Sequence, residues 1–301
     1  MVATTTSLDS KVPESGVGSR GRSELKIALR NLVRNKGAMI GAAIMTLLAL
    51  SAILAPALAP YDPLHISIDE RLQPPGAKNL LGTDQLGRDI LSRILHGGRL
   101  SLVLGLVSVS IGGSLGTLVG LVSGYYGGAV DDITMRIVEV FMAMPRVLLA
   151  LVIAFALGPS LVNLMIAVGV GQAPTYVRLV RGAVLSAKGE LYVEAARMIG
   201  VPRFKIMFRH LLPNVLGPVV VVSTLALGWA ILNAATLSFL GMGVQPPTPE
   251  WGNMISDGRG KMAVAWWVAF FPGMAIMASV LGLNLLGDGL RDALDPKLRS
   301  R

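Results

Sequence analysis

Five stretches of this chain contain no Asp, Glu, Lys or Arg: residues 37–61, 100–130, 147–177, 210–249 and 262–287. Each is at least 25 residues long, and a helix needs only about 20 apolar residues to cross roughly 30 Å of hydrocarbon. Leu, Ala, Val and Ile fill the runs without period-two alternation. Lipid offers backbone groups no partners, so these runs must close their hydrogen bonds as helices. Charged residues are 15% of the 301, against about a quarter in a soluble domain. A soluble globule would have to bury all five runs in one core. The expected fold class is an all-α integral membrane protein.

Runs 37–61, 100–130 and 262–287 each hold one helix. In run 210–249, Pro213, Pro218 and the segment Gln245–Pro249 leave a single span with Pro218 in its first turn, where a missing N–H costs little. Run 147–177 is interrupted by the turn Ala156–Ser160. Two crossings fit there only if the third span reaches back to just after Arg136 and carries Glu139 and Arg146. Six transmembrane helices result, at about 37–58, 100–123, 137–157, 161–180, 214–236 and 264–286, in a membrane domain of 37–287.

Residues 1–36 are no signal peptide, because the basic region is too long and the apolar run after it suits a span. Residues 1–22 are polar, rich in Ser, Thr and Gly, and read as disordered. Lys and Arg set the orientation. Residues 1–36 and 178–209 hold seven each and the tail from 288 holds four, so these segments carry 18 of the 27. The alternate loops, 62–99 and 250–261, hold five and two. Both termini, tails 1–36 and 288–301, and the loop 181–213 are therefore expected in the cytoplasm. Much of the +9 net charge then serves topology and attraction to anionic headgroups, with no need of nucleic acid. There is no cysteine, which excludes disulfides and thiolate metal sites.

Within the loop 181–213 the chain reads "EAARMIGVPRFKIMFRHLLPN" from Glu194 to Asn214. Leu191, Ala195, Met198 and Ile199 form one apolar stripe of an amphipathic helix. Gly200 follows as a C-terminal stop and Pro202 as a start. Phe204, Met207, Phe208 and Leu211 form a second stripe opposite Arg203, Lys205 and Arg209. Two short helices of this kind are too polar for lipid and too apolar for water, so they predict a partner's groove. Ala195 and Ala196 allow close approach, and Glu194 offers a charge.

The spacing Glu194-Ala195-Ala196, Gly200, Leu212-Pro213 resembles the EAA loop of ABC importer permeases, with His210 standing at the family's apolar position before x-L-P. In that family the loop is a coupling helix that docks into a cleft of an ATPase subunit. "LAPYDP" (Leu58–Pro63), "LGTDQLGRDILSRILHGGRLSL" (Leu81–Leu102), "LSFLGMGVQPPTPEWGNMI" (Leu237–Ile255) and "GDGLRDALDPKLR" (Gly287–Arg299) are similar to blocks of the C-type permease of dipeptide/oligopeptide/nickel importers. The resemblance implies a type I ABC importer permease fold in a bacterial inner membrane. It implies a second homologous permease as heterodimer partner, two cytoplasmic ATP-binding subunits that use ATP and Mg²⁺, and an extracytoplasmic substrate-binding protein. It implies dipeptide or oligopeptide cargo, with nickel or another small solute as the alternative.

The chain is expected to bind no cofactor or metal and to have no catalytic residue. It lacks a G-x4-G-K-[ST] loop for nucleotide phosphates, and His65, His96 and His210 are scattered. A secondary transporter would carry acidic or His relays or inverted repeats. A membrane scaffold would not need Gly112, Gly116, Gly120 and Gly124, whose four-residue spacing lets helices approach closely. Leu81–Arg99 reads as an interfacial helix on the outer leaflet, ended by Gly97-Gly98. Trp266 and Trp267 read as interfacial anchors. Arg146, after Pro145, is costly in lipid and must reach a wet cavity, a partner or the surface. Glu139, Pro145 and Arg146 are candidates for the pathway or its gate.

Overall fold

A computed structural model describes residues 30–294. The tail expected over 1–22, and the end of the last sequence block beyond residue 294, lie outside the described residues. The described part is helical, with one isolated bridge between Thr83 and Asp89. In chain order the helices are α1 (Lys36–Ile53), α2 (Ala55–Leu58), α3 (Ile90–Tyr126), α4 (Gly128–Ala143), α5 (Arg146–Leu157), α6 (Leu161–Lys188) and α7 (Leu191–Met198). Then come α8 (Arg203–Phe239), α9 (Trp251–Gly258) and α10 (Trp267–Leu294).

Four helices are long and apolar enough to cross a membrane, α1, α3, α8 and α10, or five if α4 and α5 make one bent span. The expected fourth span, α6, has 28 residues but falls short in hydropathy because Asn163, Gln172, Arg178 and Arg181 interrupt it. It packs along α3 more extensively than any other pair of helices meets, which shields Gln172 from its surroundings.

Glycine makes that packing possible. A methyl group at Gly112 would lie 2.4 Å from the carbonyl oxygen of Gly169, and one at Gly120 would lie 2.6 Å from that of Val177. Those oxygens are main chain and cannot step aside. The stripe at every fourth residue therefore faces α6 of the same chain.

Four expectations change. The span expected over 137–157 is not one helix, because α4 and α5 meet at 97°. Pro145 has no N–H to donate and forces Met144 into an extended conformation, φ −89° and ψ 141°, which ends α4. The interfacial helix expected over 81–99 does not form. Residues 90–99 are the first turns of α3, which runs 37 residues or about 55 Å at 1.5 Å per residue, and Gly97-Gly98 lie inside it against Trp251. Pro218 is not in a first turn, since α8 begins at Arg203. Trp267 is buried and donates its indole N–H to the Thr83 carbonyl at 3.2 Å, so of the two only Trp266 stays exposed, packed on Phe270 and Phe271.

The turn before α3 explains why its basic residues leave the surface. Asp84 takes Arg88 at 2.7 Å and Arg93 at 3.6 Å, and Arg88 also reaches Asp257 at 3.7 Å. Asp84, Arg88 and Arg93 are each 3% exposed or less. Burial pushes the Asp257 carboxyl above the usual carboxylate range, against the pull of Arg88 and Arg93. Asp89 caps α3 by accepting from the backbone N–H and hydroxyl of Ser92, at 2.8 and 2.7 Å. Glu250 caps α9 in the same way, through Gly252 and Asn253. Trp251 donates to the Ile94 carbonyl at 3.0 Å and locks the two caps together.

Candidate functional site

At the opposite end of α3, α6 and α8 are joined by a short structured connection. The helix expected to start at Leu191 is there, eight residues long. It ends in a Schellman turn: Gly200 N–H donates to the Arg197 carbonyl and Val201 N–H to that of Ala196, both at 3.0 Å. Gly200 has φ +78°, the left-handed region that a β-branched residue resists, and a side chain there would meet no neighbour. The glycine is required by the backbone and not by crowding.

Helix α7 has two apolar faces. Val193 and Ala196, 0% and 6% exposed, sit in the main core with Ile206, Met207 and Leu211. Leu191, Met198 and Ile199 are 82%, 88% and 80% exposed. One face anchors the helix to its own bundle and the other is left bare. Glu194 and Ala195 lie exposed beside the bare face. Ala196 points inward, so the small pair does not act as a unit.

Helix α8 is capped by Pro202 and passes through a π turn over Ile206–Leu211 before Leu212 and Pro213. Pro213 cannot donate to the Arg209 carbonyl and its ring crowds that oxygen; the wider turn just before it relieves the clash. Leu212 is half-buried and Pro213 exposed. Phe204 is 70% exposed and stacks on Phe208, ring centres 4.4 Å apart, while Met207 and Leu211 turn into the core. Asn214 donates to the Tyr192 hydroxyl at 2.7 Å and to the His210 carbonyl at 2.9 Å, tying α7 to α8. That tie, and the inward face of Val193, were not legible in the sequence. The spacing of Val193 and Ala196 at i and i+3 is the one signal that pointed to it.

Glu139, Pro145 and Arg146 are exposed on the bent pair α4–α5, and no ion pair joins Glu139 to Arg146. The Arg146 carbonyl lies near Gly171, 3.9 Å from where a methyl there would sit. Gly171 is well inside α6, so the bend is about 25 Å from the α7 end by helical rise. The residues around α7 and the bend thus lie apart. Among the described residues no group of three His, Asp or Glu side chains is placed to hold a metal.

Residues 116–300 match the model of the binding-protein-dependent transport system inner membrane component family. The chain belongs to that family. Residues 23–75 match a second model, the N-terminal TM domain of oligopeptide transport permease C. The chain is 47% identical over 284 residues to the di/tripeptide transport system permease protein DppC of Pseudomonas aeruginosa, covering 92% of this chain and 94% of that one. It is 50% identical over 272 residues to the dipeptide transport system permease protein DppC of Escherichia coli K12, covering 88% and 91%. Among solved structures, an inward-facing form of the MetNI methionine ABC transporter has a TM-score of 0.55 at 22% identity, over 67% of this chain and 96% of that one. The fold is that of an ABC importer permease, and this permease is a multi-pass membrane protein.

Proposed function

We propose that this permease forms half of the translocation pathway of an ABC importer for dipeptides or short oligopeptides. The other half is a second homologous permease, as a heterodimer. Two cytoplasmic ATP-binding subunits hydrolyse ATP with Mg²⁺, and an extracytoplasmic protein delivers the substrate. The peptide cargo is supported by relatives whose names specify di- and tripeptides or dipeptides. The Lys and Arg bias supports cytoplasmic termini and a cytoplasmic α7, with all six spans in the membrane.

The observation that carries the coupling role is the bare face of α7. Leu191, Met198, Ile199 and the nearby Phe204 present a concentrated apolar surface next to Glu194 and Ala195. Water does not tolerate such a patch without a partner, and Val193, Ala196 and the Gly200 turn hold it rigidly. Glu194, Ala195 and Gly200 then carry the contact, with Ala196, Leu212 and Pro213 setting its angle. ATP-driven closure of the ATPase pair moves α7, and the attached ends of α6 and α8 tilt between inward- and outward-open states. The test is purification of the tagged chain with its neighbours. Recovery of two ATPase chains and a second permease, with ATP-dependent uptake of labelled dipeptide, is the expected result. A functional homo-oligomer without ATPase would overturn the reading.

Glu139, Pro145 and Arg146 are proposed to line the pathway. A cation this far from either end of the bundle requires water or a partner, and Pro145 supplies a break about which α4 and α5 can re-angle. A cysteine at Arg146, in a chain that has no other, is expected to react with a water-soluble thiol reagent in at least one nucleotide state. Protection in all states removes Arg146 from the pathway.

A further inference from the structure

A cavity of about 480 Å³ lies beneath α7. Its walls are Tyr125 and Tyr126 at the end of α3, Lys188 at the end of α6, Arg197 of α7, and Val201, Arg203 and Ile206 leading into α8. Three cations from residues 188–203 thus meet the end of α3 at one hollow. Lys188 Nζ is 6.0 Å and the Arg197 guanidinium 5.5 Å from the ring centre of the same tyrosine, Tyr125. Like charges gathered at one ring repel each other unless an anion joins them.

Asp131 feels the charge of Lys188, but no described carboxylate closes an ion pair with Lys188, Arg197 or Arg203. On α4, which follows α3 directly, Asp131 is occupied: both its oxygens take Arg181 at 2.5 Å, and one also accepts from the Ser123 hydroxyl. The N-cap of α8 is Pro202, which supplies no side-chain acceptor to the turn that forms one wall.

We propose that this cavity binds a phosphate group, from an anionic lipid headgroup or from a soluble phosphate compound. Two guanidinium forks and an ammonium match a tetrahedral dianion or diester with several oxygens better than a single carboxylate. Tyrosine hydroxyls can donate to the remaining oxygens. Basic pockets at the ends of membrane helices on the cytoplasmic side suit phosphate headgroups. The bound phosphate ties α7 to the ends of α3 and α6, and so braces the coupling helix against the bundle. The proposal rests on the cytoplasmic placement of α7 given above.

The test uses the full complex in lipid nanodiscs. One set of discs contains phosphatidylcholine with phosphatidylglycerol and the other phosphatidylcholine alone. Native mass spectrometry counts retained phosphatidylglycerol, and titration with inorganic phosphate reads binding in the second set. Phosphatidylglycerol retained and not displaced by phosphate identifies a headgroup; phosphate binding in the phosphatidylcholine discs identifies a soluble ligand. In either case Arg203→Gln and Lys188→Gln each weaken binding about tenfold, Lys188→Arg restores it, and Arg209→Gln, outside the cavity, leaves it unchanged. Equal retention in parent and cavity variants, or binding in neither set of discs, overturns the proposal. ATPase recovery is measured on the same preparations. A failed coupling reading then shows as lost ATPase, while the phosphate measurements on the permease still decide this site.

Discussion

The two ends of α3 handle charge and oil in opposite ways. At its start, Asp84, Arg88 and Arg93 are buried and joined in one network, and the apolar Ile90 and Trp251 pack beside them. At its end, Leu191, Met198, Ile199 and Phe204 are bare, while Lys188, Arg197 and Arg203 surround a cavity with no described anion. The first end is complete within one chain. The second leaves apolar side chains exposed and three cations without an ion pair among the described residues. This contrast separates a buried clamp from an open surface by where the charges lie, since both segments place Arg beside apolar side chains.

Substitutions test that contrast, most severely at the clamp. Asp84→Ala leaves Arg88 and Arg93 buried without their shared carboxylate, and losing one partner of a buried pair costs about 3–5 kcal/mol. The expected outcome is a large drop in the thermal midpoint of the purified complex. A midpoint equal to the parent's would show that this end is not the clamp described here.

Between the two ends, Gly112→Ala drives a methyl against the Gly169 carbonyl, and the helices must separate. Overpacking of this kind costs about 1–3 kcal/mol, read as lower thermal stability. Unchanged stability would mean that the contact between α3 and α6 is looser than the glycines imply.

Gly200→Val strains the left-handed turn by about 1–2 kcal/mol, a local cost that leaves membrane insertion intact. The expected result is assembled complex with ATP-dependent uptake lost. Normal uptake would show that the angle between α7 and α8 does not matter.

The smallest stability effect, and the one most informative about the bare face, comes from Ala195→Trp. Exposed substitutions shift stability by no more than about 0.5 kcal/mol, so the permease alone should melt normally. ATPase recovery should nevertheless fall, as truncating or blocking a central interface residue costs about 2 kcal/mol or more. Ala196→Trp should do the reverse in part, destabilising the chain because that side chain points into the core. If both variants behave alike in both assays, the two-faced description of α7 is wrong.

Much of this was legible in the chain. The charge-free runs fixed a helical membrane protein, because lipid leaves the backbone no other way to pair. Gly200 and Pro202 fixed the stop and restart around α7, because each restricts the backbone locally whatever surrounds it. The glycine spacing in α3 announced a close helix contact but not its partner. Pro145 stood inside a single expected span, and only the backbone showed that the chain turns there through 97°.

What the sequence could not give depends on contacts between distant residues. Periodicity places Asp84, Arg88 and Arg93 on a surface, where charges belong in water; Asp257 and Trp251, more than 150 positions away, help to bury them. Ala195 and Ala196 look equivalent in a string of letters, and the bundle behind Ala196 is what distinguishes them. Lys188, Arg197 and Arg203 read as three points of an orientation signal until α3, α6, α7 and α8 bring them to one cavity. Local backbone chemistry is written residue by residue and can be read that way. Burial and the meeting of charges are properties of packed helices, and only the tertiary structure decides them.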